Sequence, residues 1–304
     1  MAAAAPFFSI IVPTYRRPAQ LAVCLEAMTH LDYPANRFEV IVVDDGSNAP
    51  PEATVTAVRD RLDVTLLTLP HGGPAAARNA GAARAKGDVL AFTDDDCAPT
   101  AIWLRAFTDR LGASGDCAAG GRTLNALSEN LYSTASQLLI DYLYAYYNAE
   151  SAQARFFTSN NLAVPADGFR EVGGFDVTFP LPAAEDREFC DRWVHRGHRL
   201  VYALDAVIRH AHSLTMRRFW RQHFDYGRGA FHFHRLRAVR GHHRMRVEPA
   251  AFYTGLLLHP LSRAPRRHAL PLMALTVLSQ IANATGFLAE KRAAARANYF
   301  PVQK

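Results

Sequence analysis

The chain has 304 residues, a formal charge of +6 at pH 7, a pI near 9.3, and 49% hydrophobic residues. This length and apolar content exclude a disordered chain and allow one large α/β domain, or one domain with an appendage. The positive excess suits anionic ligands or an anionic membrane surface, and it is almost all arginine, whose fork matches phosphate.

Phe7 to Val12 is a short apolar run that predicts a buried strand ending at Pro13. Residues 18 to 31 carry Leu21, Cys24, Leu25 and Met28 at helical spacing. Glu39 to Val43 predicts a second strand, stopped by Asp44-Asp45-Gly46-Ser47. A helix is expected from about Pro51 to Leu62, then a strand from Val64 to Leu69. Gly72-Gly73-Pro74 is a turn before an alanine-rich helix, Ala75 to Ala85, and Val89 to Thr93 is a fourth strand ending at Asp94-Asp95-Asp96. The alternation implies a mostly parallel, Rossmann-like sheet with helices on its faces. Further on, Tyr132 to Tyr147 and Glu185 to Arg196 read as helices, Phe156 to Val164 as strand-like, Gly173 to Asp176 as a turn, and Arg199 to Tyr202 and Ala206 to His210 as short extended pieces.

The four cysteines form no CxxC pair, which argues against zinc and for core thiols in a reducing compartment. Met1 to Ser9 lacks the basic and apolar regions of a secretory signal.

The acidic clusters stand where strands end, and open α/β sheets bind ligands just outside the carboxyl ends of their strands. Three successive carboxylates, Asp94, Asp95 and Asp96, repel one another unless a divalent cation intervenes, and Mg2+ or Mn2+ accepts carboxylate together with phosphate oxygens. On an extended backbone Asp94 and Asp96 share a side and Asp95 takes the other, which puts Asp96 on the metal and Asp94 near a ribose or metal waters. A solvated acidic turn is the competing account of the same triplet. Asp45 can accept the imide N–H of uracil or thymine, with Tyr15 stacked on the base, although Asp-Gly-Ser is also ordinary turn chemistry. Gly72 and Gly73 precede a helix N-terminus that attracts phosphate, and Arg78 stands one turn inside it. Glu185-Asp186 opens a helix and can supply a general base as well as favourable helix-end charge. His210 and His212 share a side of an extended segment, and a histidine there can be a third ligand to a metal.

Together these residues resemble family 2 glycosyltransferases of the GT-A fold. Ser9 to Arg17 is similar to that family's first strand and base-binding loop, Glu39 to Ser47 to its second-strand motif, and Ala77-Arg78-Asn79-Ala80-Gly81 with Ala85 to Asp88 to its following helix. Phe92 to Pro99 resembles the DxD segment. Gly173-Gly174-Phe175-Asp176, Glu185-Asp186 with Arg192, and Val207 to His210 resemble the later elements. The resemblance implies an inverting single displacement from a nucleotide-diphosphate sugar, UDP or dTDP by preference, to an acceptor hydroxyl. It implies that Pro13, Thr14, Tyr15, Asp45, Arg78, Asp94 and Asp95 bind the nucleotide sugar. Asp96 and His210 would hold Mg2+ or Mn2+, and Asp186 with Glu185 would be catalytic. Processive members carry a QxxRW element after the acidic pair, whereas here Arg218-Phe219-Trp220-Arg221-Gln222 has similar residues in another order, which favours a single transfer. The alternative is an inactive, membrane-attached protein that keeps the fold. Retention of every acidic element argues against it, and the same acids argue against a nucleic-acid partner.

The expected divisions are 1–119 for nucleotide-sugar binding, 120–215 for acceptor binding and catalysis, 216–248 as a basic lid or connector, and 249–304 as a hydrophobic helical tail. Ala269 to Ala289 has no charge and the length of a bilayer span, but cations flank both ends. That pattern fits a helix or hairpin lying in the interface. The expectation is peripheral or monotopic association with the cytoplasmic face of the inner or plasma membrane, with a glycan or lipid-linked acceptor in cell-envelope synthesis.

Overall fold

Strand β1 (Phe8–Thr14) is buried along its whole length, because β-branched and aromatic residues fill both of its faces. The computed structural model describes residues 5–112, 116–179, 183–241, 248–263 and 266–299. After β1 the chain alternates through α1 (Pro18–Met28), β2 (Phe38–Asp44), α2 (Glu52–Thr56), β3 (Val64–Thr68), α3 (Pro74–Arg84) and β4 (Val89–Thr93). It continues through β5 (Cys97–Pro99), α4 (Trp103–Leu111), β6 (Cys117–Asn125), α5 (Leu131–Tyr147), β7 (Asn161–Pro165), α6 (Ala166–Val172), α7 (Glu185–His195) and β8 (Arg199–His210). The eight strands form one sheet in the order β3-β2-β1-β4-β7-β6-β8-β5. The pairs β1–β2, β1–β4, β2–β3 and β6–β8 are parallel, whereas β4–β7, β6–β7 and β5–β8 are antiparallel. The parallel part is the half whose alternation the sequence shows. Strand order reverses at β1, which lies between β2 and β4, and the carboxyl ends of these three strands flank that switch point.

The chain forms two compact units. The sheet unit comprises residues 1–126, 146–177 and 186–211. Its core on one side of the sheet includes Phe8, Ile10, Val12, Leu25, Val42, Trp103 and Phe107. All four cysteines belong to this unit and are free and buried.

Several elements differ from expectation for local reasons. The helix expected from Pro51 to Leu62 is regular only over α2, after which the backbone goes on in tighter turns, with Val58 N donating to Val55 O at 3.3 Å and Arg61 N to Val58 O at 3.0 Å. Residues 156–160 are not strand, and at their start Asn148 holds the backbone of Arg155 and Phe156. Its Oδ1 accepts from Arg155 N and Phe156 N at 3.0 and 3.2 Å, and its Nδ2 donates to Phe156 O at 2.8 Å. The two short pieces after Arg199 join into β8, which shifts register opposite Gly121 and Arg122.

The helical unit comprises residues 127–145, 178–185 and 212–304. It contains most of α5, with α8 (Met216–Val239), α9 (Ala250–Arg263) and α10 (Arg266–Tyr299). Ala135 and Leu138 of α5 pack with Leu214, with Phe219 of α8 and with Leu272 and Leu275 of α10. Helices α8 and α10 meet backbone to backbone, since a Cβ at Gly227 would strike Asn283 O and one at Gly286 would strike Phe224 O. Arg228 Nε and His232 Nε2 both reach Glu290, at 2.6 and 2.9 Å. Among the described residues one helical segment, Arg267–Arg296, is long and apolar enough to cross a membrane.

Candidate functional site at the strand ends

Thr14, the last residue of β1, joins the two acidic clusters. Its carbonyl accepts from Asp45 N at 2.9 Å, and its hydroxyl donates to Asp95 Oδ2 at 2.7 Å. Segments some thirty and eighty residues apart in sequence thus meet at the switch point, in parallel register Thr14↔Asp44. Pro13, which has no N–H to donate, is buried just before it.

The Asp94–Asp96 segment is a turn, closed by Cys97 N donating to Asp94 O at 3.1 Å, and not an extended strand. The expected alternation of sides therefore does not occur. Asp95 and Asp96 share the Arg17 guanidinium, at 3.2 and 3.1 Å, while Asp94 accepts from Arg78 Nη2 at 2.6 Å. Arg78 is almost wholly buried, and α3 positions it by packing on β1 and β2. Burial pushes the Asp95 carboxyl up to about 6, against the lowering effects of Arg17 and the Thr14 hydroxyl.

His210 ends β8 opposite Cys97, which brings its Nε2 to 3.2 Å from Asp96 Oδ1. Burial alone would lower the imidazole pKa, but the Asp96 hydrogen bond and the charges of Asp96 and Asp94 raise it. A carboxylate oxygen and an imidazole nitrogen converging beside two further acids fit a divalent cation such as Mn2+. His212 belongs to the helical unit, where its Nε2 lies 2.6 Å from Gln222 Oε1.

Just beyond β2, both oxygens of Asp45 are engaged by one turn. Oδ1 accepts from Gly72 N at 2.7 Å, Oδ2 accepts from Gly73 N at 3.0 Å, and His71 Nδ1 stands 2.9 Å from Oδ2. The amides of the glycine pair that precedes the helix N-terminus thus hold a carboxylate. Tyr15 stacks on His71, with centroids 4.6 Å apart and planes at 22°. Arg16 adopts a positive φ of 57°, held by its N–H to Ser47 Oγ at 2.8 Å, and this bend aims Tyr15 and Arg17 in different directions.

Glu185 and Asp186 open α7 directly after Ala184, whose φ is 73°. Asp186 Oδ1 accepts from Arg187 N at 2.7 Å and its Oδ2 from Ser159 N at 3.4 Å. Burial raises the Asp186 pKa; these two amides and the Arg78 charge oppose it, and Asp94 adds to it. Glu185 is buried.

Other motif residues serve the frame. Asn79 exchanges two hydrogen bonds with the Phe175 backbone, at 2.8 and 2.9 Å, tying α3 to the Gly-Gly-Phe-Asp turn. Arg192 binds Glu188 and the carbonyls of Val172 and Gly174 at 2.5 to 2.9 Å. Two side chains at the site, Arg17 and His71, carry little sequence signal of their own. Arg17 stands in the first-strand loop undistinguished from its neighbours, and His71 is marked only by its place before the glycine pair.

The model of glycosyl transferase family 2 matches residues 9–173. Glycosyltransferase AglE of Haloferax volcanii is 28% identical over 210 residues, covering 68% of this chain and 67% of that protein. The pre-mycofactocin glycosyltransferase of Mycobacterium tuberculosis is 31% identical over 198 residues, covering 64% of this chain but only 42% of that one. Among solved structures, the mannosyltransferase PcManGT of Pyrobaculum calidifontis, in complex with GDP-Man and Mn2+, superposes with a TM-score of 0.62 at 21% identity, covering 98% of this chain and 82% of that one. Residues 1–349 of TarS from S. aureus, in complex with UDP-GlcNAc, give a TM-score of 0.58 at 17% identity, with 96% and 92% covered. The match spans more than half of the chain and includes the first-strand loop, both acidic strand ends and the arginine of α3, so the chain belongs to glycosyl transferase family 2.

Proposed function

We propose that the protein moves one sugar from a nucleotide-diphosphate sugar to an acceptor hydroxyl, with inversion at the anomeric carbon. The observation that carries this reading is the convergence of Asp45, Asp95 and Asp96 with Arg78 and Thr14 at the ends of three adjacent strands. Burying so much charge is costly unless a ligand uses it.

Asp45 accepts the imide N–H of the base and Tyr15 packs on its ring, which favours UDP or dTDP. Pro13 and Thr14 line the base and ribose. Arg78 turns its guanidinium to the diphosphate, and Asp94 and Asp95 face the ribose and the sugar. Asp96 and His210 hold Mg2+ or Mn2+, which when bound neutralises charge on the departing diphosphate. Asp186, supported by Glu185, takes the acceptor's proton as the new C1–O bond forms and the C1–O bond to phosphate breaks. Its raised pKa makes it a stronger base than an exposed aspartate. Product analysis tests the stereochemistry: an α-linked donor should yield a β-linked product, and retention would contradict the single displacement.

The C-terminal helices supply the reading of location. Leu258 and Leu261 on α9, and Leu270, Val277, Ile281 and Leu288 on α10, are exposed. Arg263 at the end of α9, Arg267 at the start of α10 and Lys291 and Arg292 towards its far end are exposed cations. Glu290 is held by Arg228 and His232 of α8, an arrangement at odds with burial of that end in hydrocarbon. These features support a monotopic attachment at an anionic cytoplasmic membrane face, and an envelope glycan or lipid-linked acceptor presented there.

A further inference from the structure

The imidazole of His71 makes the two interactions expected of a nucleobase. It stacks on Tyr15 at 4.6 Å, and its Nδ1 lies 2.9 Å from Asp45 Oδ2 and 3.0 Å from Asp45 O. Both neighbours are acceptors, so Nδ1 carries the hydrogen and is the donor. The Asp45 carboxylate is already saturated by Gly72 N, Gly73 N and His71. An incoming base therefore cannot reach Asp45 unless one of these donors leaves.

The three donors are not equally free to go. Gly72 and Gly73 lead straight into α3, whose first turn would have to shift to release them. The backbone at His71 is also fixed, because it presses on Gly46. A Cβ there would stand 2.6 Å from His71 N, and the φ of +80° at Gly46 keeps that side open. The His71 side chain is different, since 60% of it is exposed and it needs only a χ1 rotation to swing into solvent.

We infer that His71 is a built-in stand-in for the nucleobase, displaced from Tyr15 and Asp45 when the donor binds. It is thereby a specificity-determining residue. The exchange replaces His71 without repulsion only if the newcomer presents a ring N–H to the carboxylate. Uracil and thymine offer N3–H and guanine offers N1–H, whereas adenine and cytosine have only exocyclic amino donors, each beside a ring lone pair (N1 or N3) that the carboxylate repels. In the free protein His71 keeps the Asp45 carboxylate satisfied and the Tyr15 face covered. The inference rests on the assignment of Asp45 and Tyr15 to the base.

The test is calorimetric titration of UMP, dTMP, GMP, CMP, AMP and inorganic pyrophosphate, all with Mn2+, into wild type, His71→Ala and Asp45→Asn. His71 is exposed, so its truncation leaves the fold in place. The expected result is that the imide- or lactam-bearing nucleotide binds His71→Ala about fivefold more tightly than wild type, the size of one net hydrogen bond removed from competition. Pyrophosphate affinity should not change, and Asp45→Asn should bind the same nucleotide more weakly. Equal or weaker nucleotide binding by His71→Ala, with Asp45→Asn still impaired, would overturn the displacement and make His71 a wall of the site. If Asp45→Asn binds as wild type does, or no nucleotide binds at all, the base assignment fails and the inference falls with it.

Discussion

Asp186 combines a half-buried side chain, a raised pKa and a place at a helix start after a strained residue. If it is the base, Asp186→Asn should lower kcat by about 10²- to 10⁴-fold while nucleotide affinity holds, measured by initial rates and titration. The raised pKa also sets the pH profile. Activity needs the ionised carboxylate, so it should fall on acidification at a pH above the range of an ordinary aspartate. Stability runs the other way. With its folded pKa above the unfolded one, the group begins to cost stability as pH rises past the unfolded value, and the cost persists above the folded value. Asp186→Asn should therefore melt higher than wild type at neutral pH while being inactive; a lower melting temperature would assign Asp186 to the frame instead. The strand-end acids, Asp45 and Asp94 to Asp96, were legible in the sequence because each cluster ends an apolar run, and Glu185-Asp186 because the pair opens a helix. The partners were not. Arg17 reaches Asp95 across 78 residues and His71 reaches Asp45 across 26, and no local pattern announces either contact.

The same division holds for the elements. Strands β1, β2 and β4 are buried on both faces and so read as continuous apolar runs. Strand β6 reads Cys-Ala-Ala-Gly-Gly and gives no such signal, because its small residues are dictated by neighbours: Gly120 lies against the Phe157 ring, and Gly121 against Asn161 and Ala206 O. Such a strand is set by tertiary packing and not by propensity. The motif arginine of α7 is likewise a tertiary device. Arg192 pairs with Glu188, which is fully buried, and caps carbonyls on either side of Gly173. Arg192→Ala would remove two charge-assisted hydrogen bonds from that buried carboxylate and should destabilise the fold by about 3 to 5 kcal/mol, read by denaturant titration. A loss below about 1 kcal/mol would show that Glu188 is solvated after all.

For the molecule as a whole, the sequence shows a basic, arginine-rich chain whose last third turns apolar. It does not show that this third folds as its own unit with α5, since the segments lie far apart in the chain. Membrane attachment predicts that the protein floats with vesicles containing phosphatidylglycerol and stays behind with phosphatidylcholine alone. Replacing Arg263, Arg267, Lys291 and Arg292 with Gln should abolish flotation without changing nucleotide affinity. Flotation with both lipids alike would assign the attachment to apolar contact only.

The proposed transfer depends on a metal-assisted nucleotide site at the ends of β1, β2 and β4. Calorimetry with UDP, dTDP and GDP, each with and without Mn2+, on wild type and Asp96→Asn puts that site to the test. One nucleotide should bind in a metal-dependent way, and Asp96→Asn should lose the metal dependence. Absence of binding by all three, or metal-independent binding that Asp96→Asn leaves intact, would contradict it.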